Sequence, residues 1–155
     1  GAAVLSAADF PLPTLAPRLR QLRQELIAGR GFELMRGLPL HLWSRKKAAA
    51  AFLGIGAHIG AARSQNAAGH LLGHVRDLGL ASDDPTVRLY QTRERQTFHA
   101  DSCDAVALAC LVQAETGGES LLVSTLTVWN EILAIGRPDL AAALLQPVAV
   151  DRRGE

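Results

Sequence analysis

Short apolar runs separated by turn residues fill the middle of the chain, and this pattern restricts the fold more than any other feature. Such runs predict strands or extended pieces at residues 86–90, 98–101, 105–112 and 119–124. Gly117 and Gly118 lie between the last two runs and can form a turn, because glycine reaches positive φ without a steric penalty. The middle of the chain is therefore predicted to be mainly β.

A helix is expected near the start of the chain, because leucines recur there on one face, at Leu15, Leu19, Leu22 and Leu26. Thr14 can cap this helix and Gly29 can end it. Residues 32–35 and 146–150 are each expected to form a strand. The polar stretch 65–84 has no sustained period and predicts a long irregular segment near a functional site.

Three further helices are expected. One should begin near Ser44, and its glycines, Gly54 among them, suggest close packing against another element. Its buried side chains should be Phe52, Ile55 and Ile59. Two more helices are expected at 127–135, ended by glycine, and at 138–145, opened by proline.

The composition indicates one domain, or a portion of one, without a nucleic-acid or membrane partner. The 155 residues are 48% hydrophobic and 20% charged, and sixteen basic residues oppose fifteen acidic ones. The longest uncharged run, 48–62, is shorter than the ~18 to 20 apolar residues of a membrane span. Cys103 and Cys110 are too few for a disulfide scaffold, which favours a reduced, cytoplasmic protein.

His99 and Asp101 are two residues apart in a segment that is expected to be extended. Both side chains should therefore point to the same face, where they could hold one metal ion. They would be two of the three ligands in the two-histidine, one-carboxylate arrangement of non-haem iron(II) oxygenases. The spacing alone is weak, because a histidine hydrogen-bonded to a nearby aspartate also produces it.

Several motifs occur here in a characteristic order, and the combination is more specific than any one of them. They are Thr97-Phe-His-Ala-Asp101, the apolar stretch 105–111 and Gly117-Gly-Glu-Ser120, preceded by pieces within 31–39 and 64–77. Together they resemble the taurine catabolism dioxygenase family of iron(II)/2-oxoglutarate oxygenases. The resemblance runs from about Phe10 to the last residue.

The resemblance implies a mainly β fold with flanking helices, a double-stranded β-helix or jelly roll. Residues 1–155 would be the N-terminal portion of a single oxygenase domain that continues beyond residue 155. In the family the motif histidine and carboxylate bind the metal, which implies this role for His99 and Asp101. The residue after Gly-Gly-acid helps to hold 2-oxoglutarate, which implies this role for Ser120, where the family often has threonine.

The implied activity is that of a dioxygenase that uses Fe(II), 2-oxoglutarate and O₂. It would hydroxylate a C–H bond of a small molecule and release succinate and CO₂. The family also needs a distal histidine ligand and an arginine for 2-oxoglutarate, and neither can be assigned in this sequence. The substrate cannot be read from the residues, and a homo-oligomer is left open.

Two alternatives remain at this point. His70 and His74 could share a helix face and bind zinc with Cys103 or Cys110, although the spacing matches no zinc motif. The second alternative is a jelly-roll binding or scaffold protein that has the fold but no turnover. For Ser120, the alternative is a turn-flanking serine that bonds to the backbone.

Overall fold

The computed structural model describes residues 5–66, 68–84 and 87–149. Its helices are α1 (Ala16–Ala28), α2 (Arg45–Ala57), α3 (Thr125–Ala134) and α4 (Pro138–Leu144), with 3₁₀ turns at Leu40–Leu42 and Leu89–Gln91. The chain divides into two compact units. Unit 1 comprises Gly1–Arg76 and His99–Gln113, and unit 2 comprises Asp77–Phe98 and Ala114–Glu155.

Helix α1 forms where the leucine spacing predicts it, but Thr14 does not cap it. Leu19 is 0% exposed and Leu22 is 5% exposed, so the predicted apolar face is the buried one. The N-cap position is taken by Leu15, which makes no side-chain capping hydrogen bond, and Gly29 is the C-cap as expected. A preceding turn, in which Ala16 N donates to the Leu12 carbonyl at 2.7 Å, extends the hydrogen bonding before the helix.

Helix α2 begins after Ser44, whose hydroxyl accepts a hydrogen bond from Lys47 N at 3.3 Å. Of the three apolar side chains expected inside, Ile55 is buried, while Phe52 and Ile59 are only half-buried. The expected close packing is found at Gly54, where an added Cβ would overlap the ring of Phe10. The Phe10 ring therefore packs directly on the backbone of α2.

A histidine at the end of α2 also binds Phe10. His58 is the C-cap of α2, and its Nε2 lies 2.8 Å from the carbonyl oxygen of Phe10, to which it donates a hydrogen bond. Phe10 is thus fixed both by its ring, on Gly54, and by its carbonyl. These two contacts attach the segment before α1 to α2.

We expect Gly54→Ala to destabilise unit 1 by about 1 to 3 kcal/mol, because the new methyl group would overlap the Phe10 ring. Thermal unfolding of the complete protein, followed by circular dichroism, measures this loss. Gly56→Ala is the matched control, since nothing lies within 4 Å of its Cβ position. Equal stability of the Gly54→Ala and Gly56→Ala variants would show that Phe10 does not pack there.

Helices α3 and α4 pack against each other in unit 2, and both were expected from the sequence. Ser124 caps α3 by accepting from Thr127 N at 3.3 Å, so this helix begins two residues earlier than predicted. Gly136 follows α3 with φ +73°, which only glycine adopts readily. Arg137 donates to both carboxylate oxygens of Asp139 at 2.9 and 2.7 Å, and this bonding lowers the pKa of Asp139.

The predicted strands are wrong throughout the described ranges, which contain no strand. Residues 32–35, 98–101, 105–112, 119–124 and 146–149 are irregular, and Leu89–Gln91 is a 3₁₀ turn. Thr86 and Val150 lie outside the described residues. The predicted turn at Gly117 and Gly118 is confirmed by φ values of +74° and +80°, but it joins no hairpin.

The jelly roll is therefore wrong for the described part of this chain. A strand requires a neighbouring strand for its backbone hydrogen bonds, and most bonds outside the helices here join residues only two to five positions apart. The expected buried strand is open to solvent, with Leu108 75% and Val112 87% exposed. In the other expected strand, 119–124, Leu122 is also open to solvent and is 70% exposed.

The polar segment 65–84 is irregular, as predicted, because its described residues contain no helix or strand. None of the helices in the described ranges combines the length and the apolar character that crossing a bilayer requires.

Candidate metal centre

His99 and Asp101 lie together in unit 1, on irregular backbone rather than on a strand. A short turn follows them, in which Cys103 N donates to the Asp101 carbonyl at 2.8 Å. His99 Nε2 and Asp101 Oδ1 are 3.9 Å apart, and each side chain is 53% exposed. The structure therefore places the two side chains near each other, although on irregular backbone rather than on the extended segment that the spacing argument assumed.

The distance between His99 Nε2 and Asp101 Oδ1 tests the alternative that the histidine is simply hydrogen-bonded to the aspartate. A hydrogen bond between imidazole nitrogen and carboxylate oxygen has a length of about 2.7 to 3.2 Å. At 3.9 Å, Nε2 and Oδ1 are beyond that range. These two atoms are therefore close to each other without being hydrogen-bonded to one another.

The same distance suits two ligands of one ion. Metal bonds to imidazole nitrogen and carboxylate oxygen are about 2.0 to 2.2 Å long, so donor atoms up to about 4 Å apart can reach the same ion. Adjacent octahedral positions would place the donors about 3 Å apart, so a small side-chain rotation would be needed. Since both side chains are half-exposed, such a rotation displaces little, and the donors fit a metal that takes nitrogen and oxygen.

No third ligand joins them within the described ranges, where no group of three His, Cys, Asp or Glu side chains could hold a metal ion. His58 bonds to the Phe10 carbonyl, and His41 is exposed on the 3₁₀ turn Leu40–Leu42. His74 is exposed in the irregular segment. Within the described residues, the potential donors near each other at this place are thus the two side chains of His99 and Asp101.

The zinc alternative fails on local geometry. His70 and His74 lie on irregular backbone, so they do not share a helix face. Cys103 and Cys110 are exposed and unbridged. Their sulfur atoms lie 3.5 and 3.4 Å from the carbonyl oxygens of Ala105 and Val112, respectively. Cys110 is therefore not the buried strand residue that its apolar context suggests.

Asn66 and His70 make two polar contacts within the irregular segment. The backbone N–H of His70 donates to Asn66 Oδ1 at 3.2 Å, and Asn66 Nδ2 lies 3.0 Å from His70 Nδ1. His70 Nδ1 is therefore already engaged by a neighbouring side chain.

Ser120 belongs to unit 2, and its side chain is exposed after the glycine turn. Its hydroxyl makes no hydrogen bond within the described residues, so the backbone-bonded serine of the alternative interpretation is not observed there. Gly118 precedes it closely, with φ +80°. The turn therefore presents the hydroxyl to solvent.

Two clefts lie elsewhere. One, of about 320 Å³ in unit 1, is lined by the segment before α1 and the end of α2, and includes Arg23 and His58. The other, of about 300 Å³ in unit 2, includes Asp77 and Arg93, whose Oδ2 and Nε are 3.9 Å apart. Neither cleft is lined by His99, Asp101 or Ser120.

Sequence reasoning missed the role of His58. In the structure, His58 forms a hydrogen bond to the Phe10 carbonyl. A histidine directly after the last helical residue is a possible C-terminal cap, which is the one local signal for such a role. Its partner lies 48 residues away, and no local pattern could identify it.

A histidine and a carboxylate side chain close together beside a short turn define a candidate non-haem metal site. Comparison with known proteins then gives the family. The family model described as "Taurine catabolism dioxygenase TauD, TfdA family" matches residues 1–147. The chain belongs to this family, as its motifs indicate.

Two curated relatives agree with this assignment. The chain is 32% identical over 146 residues to FR-33289 synthase of Streptomyces rubellomurinus, covering 94% of the chain and 43% of that protein. It is 33% identical over 147 residues to the taurine hydroxylase-like protein SAT17 of Stachybotrys chartarum, covering 90% of the chain and 38% of that protein. The chain thus spans less than half of either relative. No solved structure matches it.

Proposed function

We propose that this chain is part of an iron(II)/2-oxoglutarate-dependent dioxygenase that hydroxylates a C–H bond of a small molecule. The observation that carries the proposal is the approach of His99 Nε2 to Asp101 Oδ1, 3.9 Å apart, in a member of this oxygenase family. One relative is named a hydroxylase-like protein, which favours hydroxylation as the outcome. The proposed compartment is the cytoplasm.

His99 would bind the ion through Nε2 and Asp101 through Oδ1, because these are the atoms that approach each other. When bound, iron(II) would supply O₂ activation for the coupled oxidation of 2-oxoglutarate to succinate and CO₂ and of the substrate C–H bond to a hydroxyl group, with one oxygen atom going to each product. Asp101 contributes a negative charge that offsets the charge of the ion, and the half-exposed side chains leave access for a small co-substrate.

Ser120 would donate its hydroxyl hydrogen to a carboxylate of 2-oxoglutarate. Its exposed position after the Gly117-Gly118 turn supports this role, since the hydroxyl has no competing partner among the described residues. A hydroxyl group suffices for this bond, so the change from the threonine that is frequent in the family is mild.

Anaerobic addition of iron(II) and then 2-oxoglutarate to the complete protein tests the function. We expect an absorption band near visible wavelengths that requires both additions, and succinate release after O₂ is admitted. A folded protein that gives neither band nor succinate would contradict the proposal. That result would instead favour a binding or scaffold protein without turnover.

Ser120→Ala should weaken 2-oxoglutarate binding more than iron binding. One lost hydrogen bond to a charged group is worth roughly 1.5 to 3 kcal/mol, which is about a tenfold to hundredfold loss of affinity. Anaerobic titration followed by the absorption band measures this change. Ser120→Thr is the control and should be nearly silent, whereas equal affinity in the alanine variant would place Ser120 in a structural turn.

We also propose that residues 1–155 form the N-terminal portion of a single oxygenase domain that continues further. The coverage of the two relatives supports this, as do exposed apolar side chains such as Leu108 and Leu122. Expressed alone, residues 1–155 should fail to unfold cooperatively and should bind a hydrophobic dye. A cooperatively melting monomer that turns over 2-oxoglutarate would contradict this proposal.

A further inference from the structure

The near-neutral net charge conceals a strongly basic segment. Between Glu33 and Asp77 the sequence contains no aspartate or glutamate but six lysines and arginines. The rest of the chain contains ten lysines and arginines and fifteen acidic residues. Positive charge is therefore concentrated in one segment, although the whole chain carries a net charge of only +1.

All six basic side chains of this segment are exposed and belong to unit 1; they are Arg36, Arg45, Lys46, Lys47, Arg63 and Arg76. Within the part of the chain that the structure describes, none of them forms an ion pair with a carboxylate. Of the four other basic side chains of unit 1, Arg18 and Arg30 approach Glu33, whereas Arg20 and Arg23 on α1 form no ion pair within the described residues. The positive charge of the segment is thus uncompensated at the surface.

Three of these cations are adjacent on the first turn of α2. They lie beside Leu42, which is 74% exposed, and Trp43, whose ring centre is 4.9 Å from Lys47 Nζ. We call Leu42, Trp43, Arg45, Lys46 and Lys47 the basic patch. The first turn of α2 contains no acidic residue, so these cations oppose the helix dipole and gain no local partner.

We propose that the basic patch docks an acidic surface of another protein. Tryptophan and arginine are enriched in the centres of protein interfaces, and here an exposed leucine accompanies them. The complementary partner would place carboxylates against Arg45, Lys46 and Lys47 and an apolar side chain against Leu42. This inference is independent of the oxygenase chemistry proposed above.

The geometry favours a protein over the other anionic partners. A small anion would need a concave site with converging donors, and the cleft of unit 1 is lined by none of the six cations. Insertion into an anionic membrane would require a helix with a continuous apolar face at the surface. The apolar part of the patch is instead limited to Leu42 and the half-buried Trp43.

The test uses the complete protein and a fluorescent 15-residue peptide of glutamate with leucine at every fourth position. We expect Lys46→Glu/Lys47→Glu to weaken binding of this peptide about tenfold or more at low salt, with a reduced salt dependence. Leu42→Ala should weaken it as well, because the peptide leucines lose a contact. Arg20→Glu/Arg23→Glu is the control, since it changes the net charge equally on exposed positions of α1 and should leave binding unchanged.

Three results would overturn the proposal. The first is an equal loss of peptide binding in the Arg20→Glu/Arg23→Glu variant, which would show that the peptide is attracted by the net charge of the protein and not by the basic patch. The second is tighter binding, with the same sensitivity to the Lys46/Lys47 variant, of single-stranded DNA or of phosphatidylserine vesicles. The third is protection of Lys46 and Lys47 from acetylation in the protein alone, which would show that its own polypeptide covers the patch. If Lys46→Glu/Lys47→Glu unfolds the protein, the neutral variant Lys46→Gln/Lys47→Gln provides the same comparison.

Discussion

Replacing His99 with alanine in the complete protein is expected to reduce bound iron to background and to abolish succinate formation. The imidazole is the only nitrogen donor near Asp101 among the described residues, so its removal leaves one donor of the pair. A single half-exposed carboxylate does not retain a divalent ion against water and buffer. Metal analysis after gel filtration and a succinate assay measure the two effects.

His74→Ala is the matched control for this experiment. His74 is also exposed in unit 1, and the structure gives it no role in the donor pair. It should retain iron and turnover, as should the wild-type protein. Unchanged iron content and succinate release in the His99 variant would remove His99 from the metal site and with it the main support for the proposed function.

Replacing Asp101 with glycine is expected to stop hydroxylation while leaving weak iron binding. Loss of the carboxylate removes the negative ligand and opens a coordination position, but the imidazole of His99 remains. Iron retention should fall less than in His99→Ala, and product formation should fall to background. Mass spectrometry of the oxidised product and metal analysis separate these two effects.

Asp104→Gly controls for the loss of an exposed carboxylate near the site, since Asp104 lies three residues further along an equally exposed segment. It should hydroxylate normally. Ordinary hydroxylation by the Asp101 variant would show that Asp101 is not a ligand, even if His99 is.

The helices were predicted well because their signals are local. The leucine spacing of α1 places Leu19 and Leu22 on its buried face. The hydroxyl of Ser44 starts α2, and Gly136 follows α3 with a positive φ. Each signal acts within one or two helical turns, where the sequence neighbours are also the spatial neighbours.

The strands were predicted wrongly because an apolar or alternating run only makes a strand possible. A strand needs a partner across the sheet, and the described residues supply none to 105–112 or 119–124. Without such pairing, side chains such as Leu108 and Val112 remain in contact with solvent. The family resemblance correctly identified the relatives, but it did not supply this pairing.

The sequence by itself determined the family, through ordered motifs that include His99 and Asp101, and it determined the positions of the four helices. Only the tertiary structure decided how the Phe10 ring meets Gly54 and how His58 binds the Phe10 carbonyl, 48 residues away. The physical reason is that capping and helical periodicity act between near neighbours. Ring packing and long-range hydrogen bonding instead depend on atoms that the folded backbone brings together.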